Sequence, residues 1–229
     1  MMMFSINRWL CLLFLVPAFS GLLAQSSSPA WWGSVELEKE LGAKMSVELE
    51  QEYRYFLRSG TTDRWGTSLQ SDYAFFKNFK AGVGYSWLYQ YKSDDDCFAS
   101  RHRYFIHAKY SVKLAGFKFS LREKFQSTYR DADRESVKYS PRNALKSQLS
   151  IACNVKSLRL RPYTEFSLRH PLNNPDGNSL EDYRWSTGVV FKLTKKAGLD
   201  VFYLLDHDDD DDDKAVQAHV FGTKFKYQF

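Results

Sequence analysis

From Trp31 to the last residue, the chain alternates apolar and polar positions with a period of two and shows no helical periodicity. The clearest stretch is the last one. Phe221, Phe225, Tyr227 and Phe229 alternate with Gly222, Lys224, Lys226 and Gln228. The same two-faced pattern appears in Met45, Val47, Leu49, Tyr53 and Tyr55 set against Glu48, Glu50, Glu52 and Arg54. It recurs in Phe79, Ala81, Val83, Tyr85, Trp87 and Tyr89 set against Gly82, Gly84, Ser86 and Gln90. His102, Tyr104, Ile106, Ala108 and Tyr110 oppose Arg101, Arg103, His107 and Lys109, and Phe117, Phe119, Leu121 and Phe125 oppose Lys118, Arg122, Lys124 and Gln126. In the second half Leu145, Leu149 and Ile151 oppose Arg142, Lys146 and Gln148, and Leu158, Leu160, Phe166 and Leu168 oppose Arg159, Arg161, Glu165 and Arg169. Each segment is long enough for a tilted strand to cross a bilayer.

The connections alternate in length. Short turns are expected near Gly42, Asn78, Gly116, Ser157 and Lys196, and longer polar loops over 59–64, 92–100, 130–141, 170–179 and 206–214. Short turns at one rim and long loops at the other are the habit of outer-membrane barrels, and they argue against a soluble sandwich. The expected fold is therefore all-β: an antiparallel transmembrane β-barrel over residues 43–229 with ten strands, or alternatively twelve. Residues 25–42 are expected to form an N-terminal segment. Trp31–Leu41 reads as a partial crossing, because a full strand there would place the two termini at opposite rims. Glu123 falls on the apolar face, which predicts a bulge or a position near the membrane interface. Pro162 predicts a kink or an edge-like break.

The amino terminus changes the picture of the compartment. Arg8 precedes an apolar run from Trp9 to Val16, and small or apolar residues continue through Pro17 and Ala18 to Ala24. A short positive region, an apolar core and a small residue form a secretory signal, with cleavage expected after Ala24. The Pro17 break and the shortness of the run argue against a retained anchor helix. Cys11 leaves with that signal. Cys97, in an acidic loop, and Cys153, on a strand near the opposite end, are too far apart for a disulfide.

Composition fits a barrel wall. Among 229 residues 17% are aromatic, yet only 44% are hydrophobic, and 26% are charged. Mean hydropathy is -0.47. The net charge of +5 comes from cations spread singly through the strands. Without a basic cluster or a nucleic-acid motif, nucleic acid is not an expected partner.

With the strands laid out, the chain resembles a family of short Gram-negative outer-membrane proteins known only as a domain of unknown function. The likeness rests on Trp32, on Val35-Glu36-Leu37-Glu38-Lys39, on Tyr53-Arg54 and on Phe79-Lys80-Ala81-Gly82-Val83-Gly84-Tyr85. It continues through Arg161-Pro162-Tyr163 with Glu165, through Arg184 with Gly188, and through the closing aromatics. The resemblance implies a barrel in the outer membrane and carries over no catalytic residue.

The candidate chemistry lies on the polar face. Glu48, Glu50, Glu52, Arg54, Arg101, Arg103, Arg122, Arg159, Arg161, Glu165 and Arg184 are expected to point into the lumen, with carboxylates on the second strand and cations on the fifth to eighth. Two readings stand open: opposed charges that pair and plug the lumen, or a narrow pore whose positive wall favours anions. The runs Asp94–Asp96 and Asp208–Asp213 lack the glycine and distant glutamate of an EF-hand loop, so they read as solvated loops rather than a metal site. His207 between Asp206 and Asp208 is a weak candidate for a water-activating base at the rim. No cofactor is expected. The leading functional expectation is a structural barrel or a binding platform using external loops, ahead of an anion-preferring channel and, third, a rim hydrolase. Outer-membrane lipid, lipopolysaccharide and the barrel-assembly machinery are the expected partners. Phe225, Tyr227 and Phe229 are the expected insertion signal, so deletion of Phe229 is expected to reduce assembled, heat-modifiable protein, and undiminished assembly would count against that role.

Overall fold

The computed structural model describes residues 28–92, 96–131, 139–180, 182–208 and 216–229. The expected signal peptide and the cores of the two aspartate runs lie outside these residues. Among the described residues there are eleven strands: β1 Ser28–Leu41, β2 Met45–Phe56, β3 Thr61–Phe76, β4 Phe79–Lys92, β5 Cys97–Leu114, β6 Phe117–Arg130, β7 Arg142–Cys153, β8 Leu160–Pro171, β9 Asp182–Lys192, β10 Ala197–Asp208 and β11 Val216–Gln228. They form one closed sheet in chain order, with β1 hydrogen-bonded to both β2 and β11. No helix among the described residues is long and apolar enough to cross a membrane.

The strand number is neither ten nor twelve. Trp31–Leu41 belongs to a complete strand that starts at Ser28, pairs antiparallel with β2 from Ala30↔Phe56 to Leu41↔Met45, and pairs parallel with β11 from Ser28↔Ala218 to Glu38↔Gln228. The expectation of an even count assumed that both ends of the barrel chain share a rim. An odd number closes equally well if the seam is parallel, and that is how this sheet removes its last two edges. Ser28 therefore lies at one rim and Phe229 at the other. The Phe229 N–H donates to the Glu38 carbonyl (3.0 Å), which ties the carboxyl end of the chain into the seam.

The five turns expected to be short all lie at the Phe229 rim. Ala115 and Gly116 both have positive φ, at 50° and 86°, as a two-residue type I′ hairpin requires. At the opposite rim the connections after β6, β8 and β10 are the long ones, whereas those after β2 and β4 have four residues each, no more than the turn after β9, because β3 and β5 begin earlier than the loop composition suggested. The β2–β3 connection is only residues 57–60.

Alternation sorts the side chains. Val35, Leu49, Leu69, Val83, Ile106, Leu121, Leu149 and Val201 all point outward near the middle of their strands and are exposed. Aromatic clusters flank this aliphatic band. Toward the long-loop rim the Tyr53 and Trp65 ring centroids are 4.5 Å apart, and those of Tyr89 and Phe98 5.0 Å. At the short-turn rim Tyr73–Phe75 and Tyr227–Phe229 lie 5.0 and 5.1 Å apart. An apolar band between two aromatic girdles is the exterior of a barrel that sits in a bilayer.

Three expectations about irregularities need correction or refinement. Glu123 occupies no bulge, because the β5–β6 and β6–β7 registers run unbroken through Ala108↔Glu123 and Glu123↔Ser147. It sits mid-strand on the outer face, where the Ser147 hydroxyl donates to its carboxylate at 2.7 Å. That hydrogen bond, rather than interfacial depth, is what accommodates the charge. The register shifts lie elsewhere, at Arg54/Tyr55 between β2 and β3 and at Ala74/Phe76 between β3 and β4. At Pro162 the β7–β8 ladder stops one residue short, at Ala152↔Tyr163, whereas the β8–β9 ladder passes through Pro162↔Val189. The break is thus confined to one side of β8. Cys97 and Cys153 begin β5 and end β7 at opposite rims, and no disulfide joins them.

The parallel seam has a direct test. Leu37 and Tyr227 are register partners across it. With Cys97 and Cys153 replaced by Ser, the pair Leu37→Cys and Tyr227→Cys is expected to form an intramolecular disulfide on mild oxidation, because neighbouring strands hold Cα atoms within bridging range. The pair Leu37→Cys and Phe221→Cys, displaced along the strand, is expected to form none.

Candidate functional site

Every second residue of each strand points inward, and together they line a luminal cavity of about 880 Å³. The expected luminal charges Glu48, Glu50, Glu52, Arg54, Arg101, Arg103, Arg122, Arg161, Glu165 and Arg184 all reach it. Arg159 does not. The chain leaves the sheet after β7 in a 3-10 turn at Lys156–Leu158, and Arg159 follows it with φ 54°, exposed at the short-turn rim. The alternation through Leu158 and Leu160 disguised that turn as strand. The lumen also takes in charges absent from the candidate set, among them Glu36, Arg64, Asp72, Lys146, Arg169, Asp200, Asp206, Lys224 and Lys226. All of them follow the same parity rule, so the signal was present once the strand limits were known.

Charge is divided around the wall. On β1 to β3 the inward charges are mainly acidic: Glu36, Glu38, Glu48, Glu50, Glu52, Asp63 and Asp72 against Arg54 and Arg64. On the far side β5 supplies Arg101, Arg103 and Lys109, β6 Lys118, Arg122, Lys124 and Arg130, β7 Arg142 and Lys146, and β8 Arg161 and Arg169. Glu165 is the one luminal carboxylate among the described residues of those four strands.

The acidic side is matched by its immediate neighbours. Lys224 of β11 contacts Glu50 at 2.7 Å and Glu36 at 3.5 Å, and Lys226 contacts Glu36 at 2.8 Å. Glu52 receives Arg54 at 2.9 Å and Arg64 at 2.8 Å. The Arg54 guanidinium lies 3.4 Å from the centroid of the Trp32 ring, a cation–π contact that fixes the arginine against β1. Further round, Arg184 holds Asp206 at 2.7 Å and Asp182 at 3.3 Å, with Arg169 3.5 Å from Asp182. These pairs join residues on the same strand or on strands one or two apart, so they run along the wall rather than across the lumen.

Two of the bridges that cross over an intervening strand pass a glycine. The His107 imidazole meets Asp72 at 2.6 Å above β4. Between their strands lies Gly82, where a Cβ would come within 2.5 Å of the Asp72 carboxylate and 2.8 Å of the His107 ring. The Tyr163 hydroxyl donates to Asp200 at 3.1 Å past Gly188, where a Cβ would come within 2.9 Å of that hydroxyl. Glycine at both places keeps the wall low enough for the bridge.

The cations of β5 to β7 are arranged differently. Lys124 and Lys146 are register partners on adjacent strands, both facing the lumen. Lys124 rests 5.0 Å from the Phe105 ring, and Arg103 donates to the Thr128 hydroxyl at 3.1 Å. Arg122 reaches toward β3, 3.4 Å from the Gln70 amide oxygen, and its Nε is buried with no hydrogen-bond partner. None of these four makes a salt bridge among the described residues.

The histidines divide between the two faces. His102 and His219 point outward, hydrogen-bonded to Tyr85 and Tyr203. His207 also points outward, stacked on Tyr183 with ring centroids 4.5 Å apart, whereas Asp206 points inward to Arg184. Neighbours on opposite faces of β10 do not form an acid–base pair.

Residues 30–217, from β1 to the start of β11, match the sequence profile of a protein family of unknown function, DUF2490. The chain belongs to that family. No curated protein matches it. Solved structures similar to this chain include an anion-selective porin from Comamonas acidovorans, with TM-score 0.37 and 11% identity over 78% of this chain and 55% of the porin. Another is the outer-membrane expressed OmpT of Vibrio cholerae, with TM-score 0.37 and 10% identity over 78% and 61%. A third is the beta domain of the Bordetella autotransporter BrkA, with TM-score 0.45 and 14% identity over 81% and 82%. The chain thus spans about half the length of the Comamonas porin.

Glu52 joins two guanidiniums, and its side chain is only 25% exposed. Removing it leaves Arg54 and Arg64 facing each other without their shared carboxylate. Glu52→Ala is expected to destabilise the folded barrel by about 3 kcal/mol, read from urea unfolding, with a change in the fluorescence of the adjacent Trp32.

Proposed function

We propose that this member of DUF2490 is an outer-membrane β-barrel whose lumen forms a narrow, anion-preferring pore. The aliphatic band between two aromatic girdles supports the membrane placement. The short-turn rim with Phe229 would face the periplasm and the long-loop rim the exterior, as in barrels delivered through a secretory signal and the barrel-assembly machinery. Lipid and lipopolysaccharide are then the surrounding partners.

One observation carries the preference for anions. The carboxylates Glu36, Glu50, Glu52, Asp182 and Asp206 are matched by cations on their own or nearby strands, and Asp72 is hydrogen-bonded to His107. Among the described residues, Arg103, Lys124 and Lys146 face the lumen with no carboxylate in contact. A wall of uncompensated cations raises the local concentration of anions and lowers that of cations. The pairing reading of the lumen accounts for the acidic side of the wall and leaves the cavity between the walls open to solvent.

The loop-platform reading has no comparable observation behind it, since the acidic segments 93–95 and 209–215 lie outside the described residues. A rim hydrolase built on His207 would need an acid partner other than Asp206.

The experiment is single-channel recording of the refolded mature chain in planar bilayers, with heat-modifiable gel mobility as the check on folding. The expected result is a steady current with a reversal potential displaced toward that of the anion under a salt gradient, and Arg103→Glu is expected to move that potential toward the cation value. A folded barrel that stays silent, or one whose selectivity is indifferent to Arg103→Glu, would overturn the pore.

A further inference from the structure

Lys124 and Lys146 present an electrostatic problem that the protein itself does not solve. They are direct cross-strand partners on the luminal face of β6 and β7. Like charges opposite one another weaken a strand pair. Other luminal cations also face one another across strands, Lys80 with Lys109, Lys109 with Arg122 and Arg101 with Arg130, whereas Lys224 and Arg184 each bind a carboxylate close by. Around Lys124 the charged company is cationic: Lys146 opposite it, Arg122 two residues along β6 on the same face, and Arg103 anchored over β6 by its hydrogen bond to Thr128; Lys146 also feels Glu165, Asp182 and Asp206 without touching them. Lys124 is steadied against the Phe105 ring, which supplies an apolar floor but no counter-charge. Arg122 keeps a buried Nε that no protein atom satisfies.

We propose that Lys124 and Lys146, flanked by Arg103 and Arg122, form a binding site for a phosphoryl dianion, either inorganic phosphate or the terminal group of a phosphate monoester. Two ammonium groups side by side match two oxygens of a tetrahedral dianion, and the guanidiniums offer N–H donors to the remaining oxygens. A chloride ion offsets only one of these positive charges, so the arrangement favours a compact anion of double charge. Rings of Lys and Arg serve this purpose in phosphate-selective pores generally. The site rests on the reading of the lumen as solvent-filled, and it makes the lumen a selective binding passage rather than a general anion path.

The test uses the full mature chain, refolded in detergent and titrated calorimetrically with inorganic phosphate, and separately with glycerol phosphate, in a chloride background. The expected result is saturable binding of one phosphate per chain that Lys124→Gln/Lys146→Gln weakens by about tenfold or more. Lys80→Gln, which removes a luminal cation outside the site, should leave it unchanged. Binding of both probes assigns the site to any accessible phosphoryl group, and binding of inorganic phosphate alone restricts it to the free ion. If the double variant does not fold, the wild type still answers. Phosphate should then protect Lys124 and Lys146, but not Lys80, from an amine-acylating reagent, as read by mass spectrometry. No saturable binding, equal weakening by Lys80→Gln, or uniform protection of all three lysines would overturn the site. Phosphate binding by a barrel that carries no current would sink the pore and keep the site, whereas anion current without phosphate binding would do the reverse.

Discussion

Closure of the sheet is the constraint on which everything else depends. A strand edge exposes a row of N–H and C=O groups that hydrocarbon cannot satisfy, so a membrane-spanning sheet has to end on itself. Here the final pairing is parallel, β1 against β11, and it extends from Ser28↔Ala218 to Glu38↔Gln228. With eleven strands no other geometry closes the ring, because an odd count brings the first and last strands together pointing the same way. Once the ring is closed, the pleat assigns every residue to lipid or lumen, and the two chemistries of the molecule follow from that single sorting.

The lumen shows what the sorting costs and how it is offset. Alternate residues must be polar whether or not each finds a partner, and a small ring brings them near one another. The wall answers locally. Carboxylates draw in cations from the same or nearby strands, and beneath two of the bridges that reach two strands away stands a glycine, as Gly82 does for His107 and Asp72. Glu123 shows the same economy on the outer face, where a carboxylate in the middle of the apolar band is held by the Ser147 hydroxyl of the neighbouring strand.

Period-two alternation made the barrel, the inward parity of ten expected charges and the short turns legible before any coordinates. The strand count was not legible, since it depends on whether the seam is parallel, and that choice joins residues about 190 positions apart, such as Glu36 and Lys226. Arg159 was misplaced for a local reason. Leu158 and Leu160 keep the alternation while the backbone makes a 3-10 turn, so the pattern alone could not reveal the interruption. Glu123 was read through strand geometry, when a side-chain hydrogen bond from Ser147 was what mattered. The ion pairs were the least legible part. Alternation tells which way a side chain points, but the neighbour it meets depends on register.

The division of charge around the lumen follows from how far a side chain can reach. A Lys or Arg side chain spans one or two inter-strand spacings of about 4.8 Å, enough for Lys224 to touch Glu50 across β1 but not enough to cross an open barrel. Neutralisation is therefore decided by which charges the sequence places on neighbouring strands. Acidic residues are concentrated in β1 to β3, and the seam brings Lys224 and Lys226 beside them, which would not happen in a sheet left open at β1. Among the described residues, Glu165 is the one luminal carboxylate on β5 to β8 themselves, and Arg169 reaches Asp182 on β9. The electrostatic asymmetry of the lumen is thus a consequence of strand order and closure together. The parallel seam that completes the backbone hydrogen bonding also quenches the acidic wall, and in doing so leaves the opposite wall positive.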